Sequence, residues 1–136
     1  MPIKKLLARK PAGISLKYLA PALCWGLFIL IGTVLPGSDV PKVLRNMNDK
    51  IIHATIYFVA FTLIYLAFIR YSFVNPISRE FVWFIVLVCI AFGGMLELVQ
   101  HYVVPSRTGD WMDFLANTCG SLIGVLGMRV LHRLKA

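Results

Sequence analysis

Charge is scarce in this chain of 136 residues: Asp, Glu, Lys and Arg together make up 15%, and only six residues are acidic. A soluble globular chain carries about a quarter charged residues and is nearer half apolar. Here 59% of the residues are apolar and the mean hydropathy is +0.78. That excess excludes a disordered chain and argues against a core built for water. Cysteine is sparse as well. Cys24, Cys89 and Cys119 each lie inside an apolar run, with no CxxC or Cys/His spacing. Neither a disulfide framework nor a cysteine-based zinc site is expected, and the thiols read as small hydrophobes. An HExxH helix and a serine nucleophile elbow are both missing, which removes two common hydrolytic chemistries. No cofactor is expected.

The charge that is present is basic, +8 at neutral pH with a pI near 9.8. A nucleic-acid binder needs its basic residues on one wet face. These instead sit in short clusters between long apolar runs, so no nucleic-acid partner is expected and the fitting solvent is a bilayer. A hydrocarbon core of about 30 Å takes roughly 20 residues of helix. Four runs qualify: Tyr18 to Leu35, Ile51 to Ile69, Phe81 to Val99, and Phe114 to Leu131, the last being the most polar. They are too long and too unalternating for barrel strands, so an all-α membrane protein, a four-helix bundle, is predicted as a single domain over 1–136. The first run has a basic leader, residues 1–17, but is longer than a signal-peptide core and no A-x-A-like site follows it, so it reads as a span.

Lys4, Lys5, Arg9, Lys10, Lys17, Arg70, Arg79, Arg129, Arg133 and Lys135 fall on one side of these spans, and Lys42, Arg45, Lys50 and Arg107 on the other. The positive-inside bias then predicts both termini in the cytoplasm, with the basic leader serving as a topology signal and anionic-lipid contact. The acids run the opposite way. Asp39, Asp49, Glu97, Asp110 and Asp113 are assigned to the outer side and only Glu80 to the inner.

The outer polar residues fall at helical spacings. Asp49, His53 and Tyr57 are four apart on the second span, Glu97 and His101 four apart at the end of the third beside Gln100, and Asp110, Asp113 and Asn117 follow at three and four on the fourth. Short antiparallel connections would bring these three stripes together. Glu97 is the sharpest member, coming after sixteen uncharged residues; Arg107, Lys50, His53 and His101 are its available partners. Plainer roles compete for several of them. Asp110, and Asp49 or Asn48, fit helix caps. Asn117 fits an interhelical hydrogen bond. Tyr57, Tyr102 and Trp111 fit an interfacial aromatic belt, and His101 fits the headgroup level. Arg107 fits either a salt bridge or a clamp on an anionic headgroup. Gly120 and Gly124 form a GxxxG, extended by Gly127, that suits close packing on another helix or on a second copy of the chain. Gly93 and Gly94 fit a close approach or a kink near Glu97, and Pro105 should stop the third span.

At these residues the chain resembles the VanZ-like family of small bacterial membrane proteins. One block is Asp49-Lys50-Ile51-Ile52-His53 with Tyr57-Phe58; the other is Glu97-Leu98-Val99-Gln100, Arg107, Gly109-Asp110-Trp111-Met112-Asp113, Asn117 and Gly120. The resemblance implies a multi-spanning protein of the bacterial inner membrane. Through the founding member it implies a link to low-level resistance to the glycopeptide teicoplanin.

Three functions then compete. An envelope factor would bind membrane lipids or a lipid-linked, amphiphilic ligand through Asp49, Lys50, His53, Glu97, Gln100, Arg107, Asp110, Asp113 and Asn117. An intramembrane enzyme would use Glu97, His53 and Asp113 for acid–base work, or hold a divalent metal between His53, Glu97, His101 and Asp113, although no metal spacing motif calls for one. A transporter would need ionisable groups continued through the inner halves of the spans, and those halves carry no matching chain of acids.

Overall fold

The computed structural model describes residues 16–35, 48–72, 77–105 and 108–134. Most of the basic leader, Asp39, Lys42, Arg45 and Arg107 lie outside the described residues. Four helices follow in order: α1 (Leu16–Val34), α2 (Asp49–Ser72), α3 (Arg79–Val103) and α4 (Trp111–Leu134). All four are long and apolar enough to cross a membrane. The backbone has no partner in hydrocarbon other than itself, so such runs close their own hydrogen bonds as helices. α2, α3 and α4 have 24, 25 and 24 residues, about 36 to 38 Å each, and outrun the apolar spans at both ends. The extra turns are the polar ones, Asp49-Lys50, Arg79-Glu80 and Trp111 to Asp113, where helical hydrogen bonding continues past the apolar limit.

Helix ends follow local chemistry. The Ser78 hydroxyl accepts from the Phe81 N–H at 3.3 Å and starts α3. Val104 leaves the helix extended, as the residue before a proline must, and α3 stops ahead of Pro105 as expected. α3 runs unbroken through Gly93 and Gly94.

The core lies between α2, α3 and α4 and is made of Tyr57, Phe61, Tyr65, Ile85, Val86, Cys89 and Val125. α2 and α4 form the most extensive helix pair. Their closeness is a glycine effect. A Cβ on Gly120 would overlap the Ala54 carbonyl, and one on Gly124 would lie 2.5 Å from Phe61 Cδ1. The GxxxG face is therefore taken by α2 of the same chain rather than left for a second copy. α1 packs on α2 and α3 at the edge. The Trp25 indole N–H donates to the Ile56 carbonyl at 3.0 Å, and Ile29 and Thr33 are buried. Leu23, Leu27, Phe28, Leu87, Leu98, Leu115, Ile123 and Leu126 stay more than half exposed, which lipid satisfies and water does not.

Candidate functional site

Two capped helix starts and one helix end build the polar cluster. At α2, the Asn48 side chain accepts from the Lys50 N–H at 3.0 Å, so Asn48 is the cap and Asp49 is a first-turn acid. At α4, Asp110 Oδ1 accepts from the Met112 N–H at 2.8 Å, and the Asp110 carbonyl takes the Asp113 and Phe114 N–H groups. Asp110 is therefore the cap that its position suggests, and it also belongs to the polar cluster. Its own N–H donates to Glu97 Oε2 at 3.2 Å, tying the start of α4 to the end of α3. Gly109 makes that approach possible, since a Cβ there would come within 2.7 Å of the Glu97 carbonyl oxygen.

Lys50 reaches across from α2 and donates from one ammonium to Asp110 Oδ2 at 2.5 Å and to Asp113 Oδ1. The Lys50 ammonium, helped by the Met112 N–H, holds the Asp110 carboxyl below the usual carboxylate range. His53 sits at the centre. Its Nδ1 is 3.0 Å from Asn117 Oδ1 and 4.0 Å from Glu97 Oε1, while its Nε2 is 3.8 Å from Asp49 Oδ1 and 3.7 Å from Asp113 Oδ2. An amide oxygen only accepts, so Nδ1 donates in this contact and Nε2 faces the two aspartates. The Asp113 side chain is 10% exposed and that of Glu97 12%, whereas that of Asp49 is 67% exposed. Asp49, His53 and Asp113 each present one donor atom, and these lie within 4.8 Å of one another, the grouping of the described residues able to hold a metal ion.

Six of the residues singled out by spacing thus meet, Asp49, His53, Glu97, Asp110, Asp113 and Asn117, joined by Lys50. Some roles differ from expectation. Lys50 pairs with the two aspartates of α4 and not with Glu97. His101 is exposed, and both it and Glu97 lie outside the metal-capable grouping of Asp49, His53 and Asp113. Tyr57 is no belt anchor: it is 2% exposed, with its hydroxyl buried and without a partner among the described residues. Gly93 makes room for it, since a Cβ there would stand 3.2 Å from both the Tyr57 ring and the Asn117 amide. Tyr102 and Trp111 are 78% and 81% exposed, as a belt requires. Gln100 is buried.

Sequence reasoning missed a groove of about 400 Å³ beside this cluster, between α3 and α4. Gly94, Leu98, Tyr102 and Phe114 give it apolar walls, and Glu97, His101 and Asp110 supply its polar atoms. The run Gly94, Leu98, Tyr102 at a spacing of four was the available signal, hidden by the general apolarity of the span.

The profile of the VanZ/LLP1 family matches residues 19–132, so it takes in all but the ends of the chain. No curated protein and no solved structure matches it. The match covers both polar blocks and all four spanning helices, and the chain belongs to the VanZ/LLP1 family as a multi-pass membrane protein.

Proposed function

We propose that the chain is an envelope protein of the bacterial inner membrane that binds a lipid-linked or amphiphilic ligand at the outer leaflet. The observation that carries this reading is the groove between α3 and α4. Its walls suit an acyl or prenyl chain, and its polar lining includes Glu97 and Asp110, which also belong to the ion-pair cluster. A ligand pocket of this size with a few convergent polar groups is what an amphiphile needs. The glycopeptide link implied by the family resemblance would follow from altered handling of such a ligand. An acid–base role on the bound ligand is a second reading, favoured by the His53 imidazole standing within 4.0 Å of a Glu97 oxygen.

The test is retention of phosphatidylglycerol and of a polyprenyl phosphate by the purified full chain, read by native mass spectrometry. Gly94→Leu places a side chain where a Cβ already meets Phe114 at 3.2 Å, and so fills the groove. It should cut retention of at least one probe about tenfold while the helix content holds. Equal retention by parent and variant removes the groove from the reading. Hydrolysis of a retained probe that is lost in Glu97→Gln would favour the enzyme.

The orientation has its own check. A cysteine introduced at Thr108, which is exposed beside the site, should react with a membrane-impermeant maleimide added to spheroplasts. Labelling only after lysis would put the site in the cytoplasm and reverse the topology assigned from the basic residues.

A further inference from the structure

We infer that Asp49, His53 and Asp113 form a binding site for a first-row divalent metal ion. The inference concerns the cluster and does not depend on the groove. Its starting point is the gap in front of His53 Nε2. With Nδ1 donating to Asn117, Nε2 faces Asp49 Oδ1 at 3.8 Å and Asp113 Oδ2 at 3.7 Å. Three possible ligand atoms converge there, all within 4.8 Å of one another. Donor atoms at this spacing lie roughly 2.2 to 2.4 Å from a shared centre, and closing by a few tenths of an ångström gives ordinary metal–ligand distances.

Two further observations point to an ion and not merely to acidic surface. The first is Asp113. It is 7% exposed, its Oδ1 is taken by Lys50, and its Oδ2 lies 3.7 Å from His53 Nε2, on the side of the trio. A carboxylate held mostly out of water gains from a cation that meets its second oxygen. The second is Asn117, 2% exposed and outside the trio. Its oxygen accepts from Nδ1 and orients the ring from behind, the support that metal-bound histidines receive from their outer neighbours.

Charge selects the sign of the ligand. Among the described residues the cluster gathers four carboxylates, Asp49, Glu97, Asp110 and Asp113, against the single ammonium of Lys50. A divalent cation offsets this excess and an anion adds to it. One imidazole and two carboxylates suit Mn²⁺ or Zn²⁺ better than Mg²⁺ or Ca²⁺, which favour all-oxygen sites. Three protein ligands leave a position open for water or for a ligand oxygen, on the side where Asp49 is exposed.

The experiment titrates Zn²⁺ into the metal-free, purified full chain in detergent micelles by calorimetry. One ion per chain is expected, with at least a tenfold loss of affinity in Asp49→Asn and a larger loss in His53→Gln. Asp49 is exposed, so its variant keeps the fold and the result stands even if His53→Gln misfolds. His132→Ala, changed at the far end of α4, should bind as the parent does. The inference is overturned if no stoichiometric binding occurs, if Asp49→Asn binds as tightly as the parent, or if His132→Ala accounts for the binding.

Discussion

Gly120→Ala should be the most damaging single-methyl change in the chain. The new Cβ would overlap the Ala54 carbonyl oxygen and stand 2.8 and 2.9 Å from the Ala54 carbonyl carbon and Cα. These are backbone atoms, so no rotamer can relieve the clash. α2 and α4 must move apart, and they are the pair that shares the largest interface. Separation also strains the contacts that span the two helices near one end, His53 to Asn117 and Lys50 to Asp113. Overpacking costs about 1–3 kcal/mol where side chains can shift, and a backbone overlap belongs at or above the top of that range. The gain in helix propensity from glycine to alanine, about 1 kcal/mol, offsets only part of it. Gly127→Ala is the internal control. Its Cβ would meet only Phe58 at 3.7 Å, an ordinary contact, so its stability should match the parent within about 0.5 kcal/mol. Unfolding of both variants in SDS–detergent mixtures, read by circular dichroism, checks the pair. Equal stability of the two would mean that the helices do not pack through Gly120.

The same glycines show why some of the molecule was legible in the sequence and some was not. Apolar length alone marks four spans, because in lipid the backbone has one way to satisfy itself. It does not mark where each helix ends, since Asp49, Lys50, Arg79, Glu80 and Trp111 continue the hydrogen-bonded turns beyond the apolar limit. Spacing by four puts Asp49 with His53 and Glu97 with His101, but periodicity describes one helix at a time. The choice of Lys50 for Asp110 and Asp113 over Glu97 depends on α4 lying closer to α2 than α3 does. That closeness comes from Gly120 and Gly124 meeting Ala54 and Phe61, a partner choice that a GxxxG does not encode. Tyr57 was misread for a related reason. An aromatic eight residues into a helix lies about 12 Å along its axis, and whether that depth is belt or core turns on Gly93 across the interface. The α3–α4 groove has no counterpart in any one stretch of chain.

Lys50→Met should lower stability while strengthening metal binding, and this opposition of signs separates the two roles of the cluster. Removing the ammonium leaves the Asp113 carboxylate, 10% exposed, without its ion-pair partner. Breaking a fully buried pair costs about 3–5 kcal/mol. Lys50 keeps 35% of its side chain exposed, and water screens part of the loss, so a cost of about 2 kcal/mol is expected. Lys50→Met combined with Asp113→Asn should recover at least half of it, because the second change removes the charge that the first exposes. Pairing Lys50→Met with Asp110→Asn should recover less. Asp110 is 46% exposed on its side chain, and asparagine still caps α4. Equal coupling to both aspartates would contradict the burial argument, and zero coupling to both would make the bridge incidental. On the metal side, the variant frees Asp113 Oδ1 and deletes the lysine charge that, among the described residues, repels a cation from the trio. Zn²⁺ should therefore bind more tightly to Lys50→Met than to the parent, by about tenfold if 1.4 kcal/mol of repulsion is relieved. Calorimetry on the same preparation used for unfolding decides it. Weaker binding in Lys50→Met would show that the ammonium positions Asp113 for the ion more than it repels the ion. The network would then be one scaffold, with Lys50 among its positioning residues.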